Sequence, residues 1–191
     1  MGRIIFLVEE KSMAVFLQGL LPRLFSMVDR EHFLCIAHEG KSDLEKSIPK
    51  KLRTFRNQNQ DDRFMIVRDN DGANCQIIKQ RLLSLCSAAQ SNDVLVRIAC
   101  QELESWYLGD FSALEKVYGK CSVKEKTKKR FTKNPDAINS PSNELRRMFK
   151  SFEKIGCARE LSQLLTEENN TSHSFHVLID GIRRLSQQTG V

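Results

Sequence analysis

Four short apolar runs, separated by stretches in which apolar residues recur at helical spacing, set the frame of this chain. The first, RIIFLV at residues 3 to 8, is continuously apolar after its arginine. That marks a strand buried on both faces, as in a parallel sheet. Phe33 to Ala37, Phe64 to Val67 and Val94 to Ala99 predict three more strands. After the first strand, Leu17, Leu20, Leu21 and Leu24 share one helical face, with Ser12 as N-cap and Pro22 as a stop or kink. Leu44 to Arg53 reads as a short helix interrupted by Pro49, and Ile78, Leu82 and Leu85 mark the helix after the third strand.

Beyond Asp110 the pattern changes. Helical spacing dominates at Leu114 to Tyr118, Leu145 to Ile155 and Leu161 to Leu165, with one further short strand expected at Phe175 to Ile179. Residues 134–143 and 167–174 read as connectors. The expected architecture is therefore α/β, a mostly parallel sheet flanked by helices over residues 1–110, with a helical C-terminal extension over 111–191 packed on it.

A chain of 191 residues, 40% hydrophobic, can bury one substantial core. No apolar run approaches the ~20 residues of a membrane span, and MGRIIFLVEE lacks the features of a signal peptide. The six cysteines are scattered without a C-x-x-C pair, so a reduced, cytoplasmic protein with no membrane association is the expectation. The net charge is +6, and its distribution says more. Lys46, Lys50, Lys51, Arg53 and Arg56 form one block without an acid, and Lys116 to Lys133 holds eight basic residues against Glu125. Such blocks can track a DNA or RNA backbone, with Lys50, Lys51 and Arg53 as the first candidates, or can be no more than a solvated face.

Acidic residues gather at three expected strand ends: Glu9 and Glu10, Asp69 and Asp71, Glu102 and Glu104. In an extended backbone Asp69 and Asp71 project to the same side just past a buried strand. Paired carboxylate oxygens suit a hard divalent cation, Mg²⁺ or Mn²⁺. Asp-Asn-Asp-Gly is equally ordinary turn chemistry between a strand and a helix. Functional crevices of open α/β sheets lie outside the C-terminal strand ends, so all three pairs can meet at one edge, where metal ions are the natural counter-charge. Glu102 and Glu104 share a face only if the backbone is still extended there; once a helix begins they diverge. Trp106 and Tyr107 either wall the site or belong to the core.

Gly40-Lys41-Ser42 is not a Walker A loop, because Cys35 stands where that motif needs its first glycine. Gly40 instead provides a tight turn after the second strand, with His38 and Lys41 beside it for a phosphate or a proton. His173 and His176 lack the partners of a zinc site. Neither a G-x-S-x-G elbow nor a G-x-G-x-x-G dinucleotide loop is present.

The glutamate closing the first strand (VEE, 8–10), the glycine turn after the second (HEGK, 38–41) and D-x-D closing the third (Asp69, Asp71) resemble the TOPRIM metal-binding domain of type IA topoisomerases, bacterial primases and OLD-type nucleases. FLVEEKSM, HEGKSDLEKSIPKKLR, RIACQELESWYLGD and HSFHVLIDGIRRL resemble a group of small prokaryotic TOPRIM-like proteins, so the likeness covers most of the chain. The resemblance implies a Mg²⁺- or Mn²⁺-dependent nuclease. Glu9 would be the acid/base or metal-bridging carboxylate, and Asp69 and Asp71 the ligands, with Glu102 or Glu104 at a second ion. Many TOPRIM domains carry glycine after the first glutamate; Glu10 stands there here, which leaves open which glutamate faces the metal. Relatives of this kind are often encoded beside ABC- or AAA-type ATPases in phage-defence systems, which implies an ATPase partner. A non-catalytic nucleic-acid-binding or ATPase-associated module is the alternative.

Overall fold

The computed structural model of the chain describes residues 2–91, 93–121 and 123–190. Four strands, β1 (Ile4–Val8), β2 (Phe33–Ala37), β3 (Arg63–Asp69) and β4 (Leu95–Ala99), form one parallel sheet in the order β2-β1-β3-β4. Their side chains alternate between two apolar layers. Ile4, Phe6 and Val8 of β1 enter one, and Ile5 and Leu7 the other. This is why β1 reads as an unbroken apolar run: neither of its faces meets water.

Two helices, α2 (Lys41–Gln58) and α3 (Cys75–Ala88), cover the Ile5/Leu7 face. The other face packs against α1 (Lys11–Phe25) and helices that follow β4. These are α4 (Glu104–Gly109), α5 (Phe111–Tyr118), α6 (Glu125–Lys133), α7 (Pro141–Met148), α8 (Lys154–Ser162) and α9 (His173–Thr189). The chain runs outward from β1 to β2, then crosses back over β1 to β3 and β4. Right-handed crossovers then put α1 on one face and α2 and α3 on the other. The reversal falls between β1 and β3, and the crevice at such a switch point is where open α/β sheets bind ligands.

The helical extension of residues 111–191 shares its apolar cluster with β1, β3 and α1. In that shared layer α8 lies along α1, and α9 lies beside β4. No helix among the described residues is long and apolar enough to cross a membrane.

Several local expectations are corrected. Pro22 and Pro49 both lie inside helices, which run on to Phe25 and Gln58. Each proline removes one backbone donor, whereas the buried stripes Leu17-Leu20-Leu21 and Leu44-Ile48-Leu52 tie the whole helix to the core. Ser12 is not the cap of α1; Glu10 stands at that position, and the Ser12 hydroxyl donates to its carboxylate. Residues 145–155 contain the end of α7, a break and the start of α8. Phe175 to Ile179 is helical, because the buried spacing continues through Ile182 and Leu185 and the Ser172 hydroxyl caps the start by accepting from the Phe175 N–H.

Candidate functional site

Backbone hydrogen bonds draw the strand ends together at the switch point. The Glu9 N–H donates to the Val67 carbonyl (3.3 Å), His38 N–H to Val8 O (3.1 Å) and Gly40 N–H to Glu9 O (3.0 Å). Gly40 makes this turn at φ +92, a conformation open to glycine and costly for other residues. The alternation of β1 continues past its end. Glu9 lies toward the α2 side, its Oε2 3.6 Å from Arg68 Nε, and Arg68 is held in turn by Glu45 of α2 at 2.7 Å. Glu10 lies toward the α8 side, 3.3 Å from Lys154 Nζ.

Asp69 closes β3 and is only 7% exposed. Its Oδ1 is buried without a hydrogen-bond partner, and so are both carboxylate oxygens of Glu104, which opens α4 and is wholly buried. Lys154 Nζ is the nearby cation, 3.8 Å from Glu104. Burial pushes the Asp69 carboxyl well above its ordinary value, and the charges of Glu104, Glu9 and Glu10 push the same way. Burial lifts Glu104 to about 7 against the pull of Lys154. Glu9 is raised by burial and by Asp71, partly offset by Arg68. Burial opposes the charge on Lys154, but Glu104, Glu10 and Asp69 outweigh it and hold the ammonium charged.

Asp71 does not continue the strand. Its φ of +48 starts a left-handed turn completed by Gly72, so the alternation that would have placed it beside Asp69 ends one residue earlier. Its N–H donates to Gln101 O (3.1 Å), and its side chain, 43% exposed, lies 3.5 Å from Lys41 Nζ. The turn reading and the clustering of acids are therefore both present: Asp69 sits with Glu10 and Glu104, Asp71 with Lys41, and Glu9 between them. Among the described residues no three carboxylate, imidazole or thiol groups already converge as a metal-binding group.

Glu102 takes a different course. Its Oε2 accepts from the Ser142 N–H at 2.8 Å, satisfying an orphan donor in the first turn of α7. The backbone has turned between the two acids, so Glu104 enters the buried cluster and Glu102 caps a helix. Glu102→Ala is expected to cost about 1 kcal/mol of stability in urea unfolding while leaving Mn²⁺ affinity unchanged. A loss of ion binding equal to that of Asp69 variants would contradict this assignment.

Lys50, Lys51 and Arg53 lie on α2. Lys50 and Lys51 line a cavity of about 500 Å³ beside the end of β2, with His38, Ser47 and Thr54. His38 is fixed through Nδ1 to Val8 O (2.8 Å) and through Nε2 to Ser47 Oγ (2.6 Å). Arg56, Arg68 and Arg81 are ion-paired, whereas the side chains of Lys46, Lys50, Lys51 and Arg53 make no hydrogen bond or ion pair with any described residue. Part of the second basic block is structural: Lys128 bonds Glu115 at 2.6 Å and covers the Phe111 ring. Trp106 and Tyr107 belong to the core, the Trp106 indole donating to Ser174 Oγ at 2.8 Å.

Sequence reasoning missed Lys154 and the Arg68–Glu45 pair. Lys154 stands 144 positions after Glu10, and no local motif announces it. The periodicity of β3 offered the only signal for Arg68, a charged residue inside a strand buried on both sides.

No curated protein and no solved structure matches the chain. Residues 8–183 match the family described as "Domain of unknown function (DUF4276)". That match runs from the end of β1, before Glu9, into α9, and so takes in every strand end and both sides of the acidic cluster. The chain belongs to the DUF4276 family.

Proposed function

We propose that the protein is a Mg²⁺- or Mn²⁺-dependent phosphodiester hydrolase acting on DNA or RNA. The observation that carries this reading is the set of buried carboxylate oxygens without hydrogen-bond partners at the switch point: Asp69 Oδ1, both oxygens of Glu104, and Glu9 Oε2, with Arg68 and Lys154 no closer than 3.6 and 3.8 Å. Evolution removes uncompensated buried charge unless something offsets it. An all-oxygen donor set is the chemistry of a hard divalent cation. The TOPRIM resemblance of VEE, HEGK and D-x-D supports the same assignment.

In this reading Asp69 and Asp71 hold the ion, joined by Glu9 and by Glu10 or Glu104. A divalent cation at this place supplies the positive charge that hydrolysis needs at the attacking and leaving oxygens. Where Glu9 does not itself bridge to the ion, its affinity for a proton, raised by burial and by Asp71, suits it to accept one from the attacking water. Lys41, on the exposed rim beside Asp71, meets the substrate phosphate. The uncommitted lysines Lys46, Lys50 and Lys51 on α2 line hollows beside the end of β2 and suit the flanking phosphates. A cytoplasmic setting and an ABC- or AAA-type ATPase partner in a phage-defence system belong to the same proposal.

The separation of Asp69 from Asp71 favours one second reading, a module that binds nucleic acid through α2 without cutting it. One experiment separates the two. Wild type, Asp71→Asn and Lys50→Glu/Lys51→Glu are incubated with labelled single- and double-stranded DNA and RNA, with Mn²⁺, Mg²⁺ or EDTA. The hydrolase reading predicts cleavage that needs the ion and is lost in Asp71→Asn, with binding retained. Charge reversal weakens binding roughly tenfold or more at low salt. Salt-sensitive binding with no scission under any condition leaves the binding module.

A further inference from the structure

Two thiols lie against each other on the far side of the Asp71 turn. Cys75 opens α3 and Cys100 follows β4, 25 positions on, and their Sγ atoms are 3.4 Å apart without a bond between them. Both are partly exposed and line a cavity of about 190 Å³ with His173, Val96 and Ile98. No other two sulfurs among the described residues are in contact. Cys86 and Cys157 are buried thiols with no second thiol in contact; burial and the Cys75 thiol also push Cys100 up, to about 12, which makes it the second of the pair to react.

We infer that Cys75 and Cys100 form a reversible modification site, oxidised by hydrogen peroxide or a small-molecule disulfide to an intramolecular cystine. With peroxide, the sulfur of Cys75 attacks one oxygen and the O–O bond breaks, giving a sulfenic acid and one water. The sulfur of Cys100 then attacks the sulfenyl sulfur, the S–O bond breaks and a second water leaves. Two thiols lose two electrons and two protons, and one peroxide is reduced to two waters. With a disulfide oxidant, Cys75 displaces one thiol to form a mixed disulfide, and Cys100 displaces the other.

The approach needed is short. A disulfide is ~2.05 Å long, so the two sulfurs close by roughly 1.4 Å. The segment between Asp69 and Cys75 is already tied to the end of β4, by the Asn70 N–H to Ala99 O (3.2 Å) and the Asp71 N–H to Gln101 O (3.1 Å). A cystine adds a covalent third tie and fixes the turn that carries Asp71. The inference does not depend on what Asp71 does; if the ion-binding reading is correct, oxidation also narrows the positions its carboxylate can take.

The test uses the full chain. It is treated with hydrogen peroxide or oxidised glutathione, the remaining thiols are blocked with N-ethylmaleimide after denaturation in guanidinium, and the digest is read by mass spectrometry. The expected result is a linked Cys75–Cys100 peptide, loss of two of the six alkylatable thiols, and reversal by dithiothreitol. Melting under non-reducing conditions should shift up by several degrees. Cys75→Ser and Cys100→Ser, checked by circular dichroism, should each abolish the link. Six free thiols after oxidation, a different linked pair, or Cys75 passing to sulfinic acid with Cys100 still free would overturn the inference.

Discussion

An Asp69→Asn protein is expected to lose divalent-ion binding and yet melt at a higher temperature than the parent when both are free of metal. The two effects share one cause. Asp69 is buried at the end of β3 with one oxygen unpartnered, and Glu104, Glu9 and Glu10 all crowd it with like charge. Asparagine keeps the shape, removes the charge and adds a donor that can reach a neighbouring carboxylate. Each kcal/mol gained raises Tm by roughly 2–4 °C in a chain of this size. If Asp69 holds the ion as proposed, losing its charge should weaken Mn²⁺ about a hundredfold, and any cleavage with it. Titration calorimetry with Mn²⁺ and a thermal melt in EDTA read the two effects separately. A melting temperature that falls, with ion affinity intact, would make Asp69 a structural acid.

Metal-free protein should be more stable on the acid side of neutrality, and divalent ions should abolish the difference. Glu104 sets the window. Its carboxyl is lifted from an ordinary 4.5 to about 7 by burial, so the folded state binds its proton more tightly than the unfolded chain does. That contribution is complete below about 4.5, shrinks as the pH rises and is gone above about 7. The contribution lost across that window is on the order of a few kcal/mol. Asp69 and Glu9 are raised in the same direction and steepen the decline. Glu104→Gln should flatten the profile and stabilise the metal-free protein at neutral pH. Urea unfolding at intervals from about pH 5 to 8, with and without Mn²⁺, tests this. Stability that climbs across that range in EDTA would refute it.

The sheet was legible because burial on both faces leaves an unmistakable mark: β1 and β3 are apolar at every position that the core demands. Position at strand ends also singled out Glu9, Glu10, Asp69 and Glu104, since a parallel sheet brings the C-terminal ends of neighbouring strands together. What escaped was whatever depends on the chain leaving its regular path. The left-handed residue at Asp71 separates it from Asp69, and nothing in D-N-D-G fixes which residue of the turn takes that conformation. Glu102 and Glu104 differ in fate because a helix begins between them, a boundary that sequence places only within a residue or two. Phe175 to Ile179 was short and apolar enough to pass as a strand until its spacing was followed to Leu185. Lys154 was invisible for a plainer reason: it reaches Glu10 through tertiary packing of α8 on α1, and no local pattern encodes a contact so distant in sequence.

That same packing sets an order of events during synthesis. All four strands have emerged once residue 99 is clear of the ribosome, but Glu10 and Asp69 still lack the ammonium of Lys154, and α1 still lacks α8, which packs along it. Until α8 is made, the side of α1 that α8 packs against has no partner, and Glu10 and Asp69 lie at the sheet edge without Lys154. A chain cut after residue 110 would therefore lack both the cover that α8 gives α1 and the ammonium beside Glu10 and Glu104.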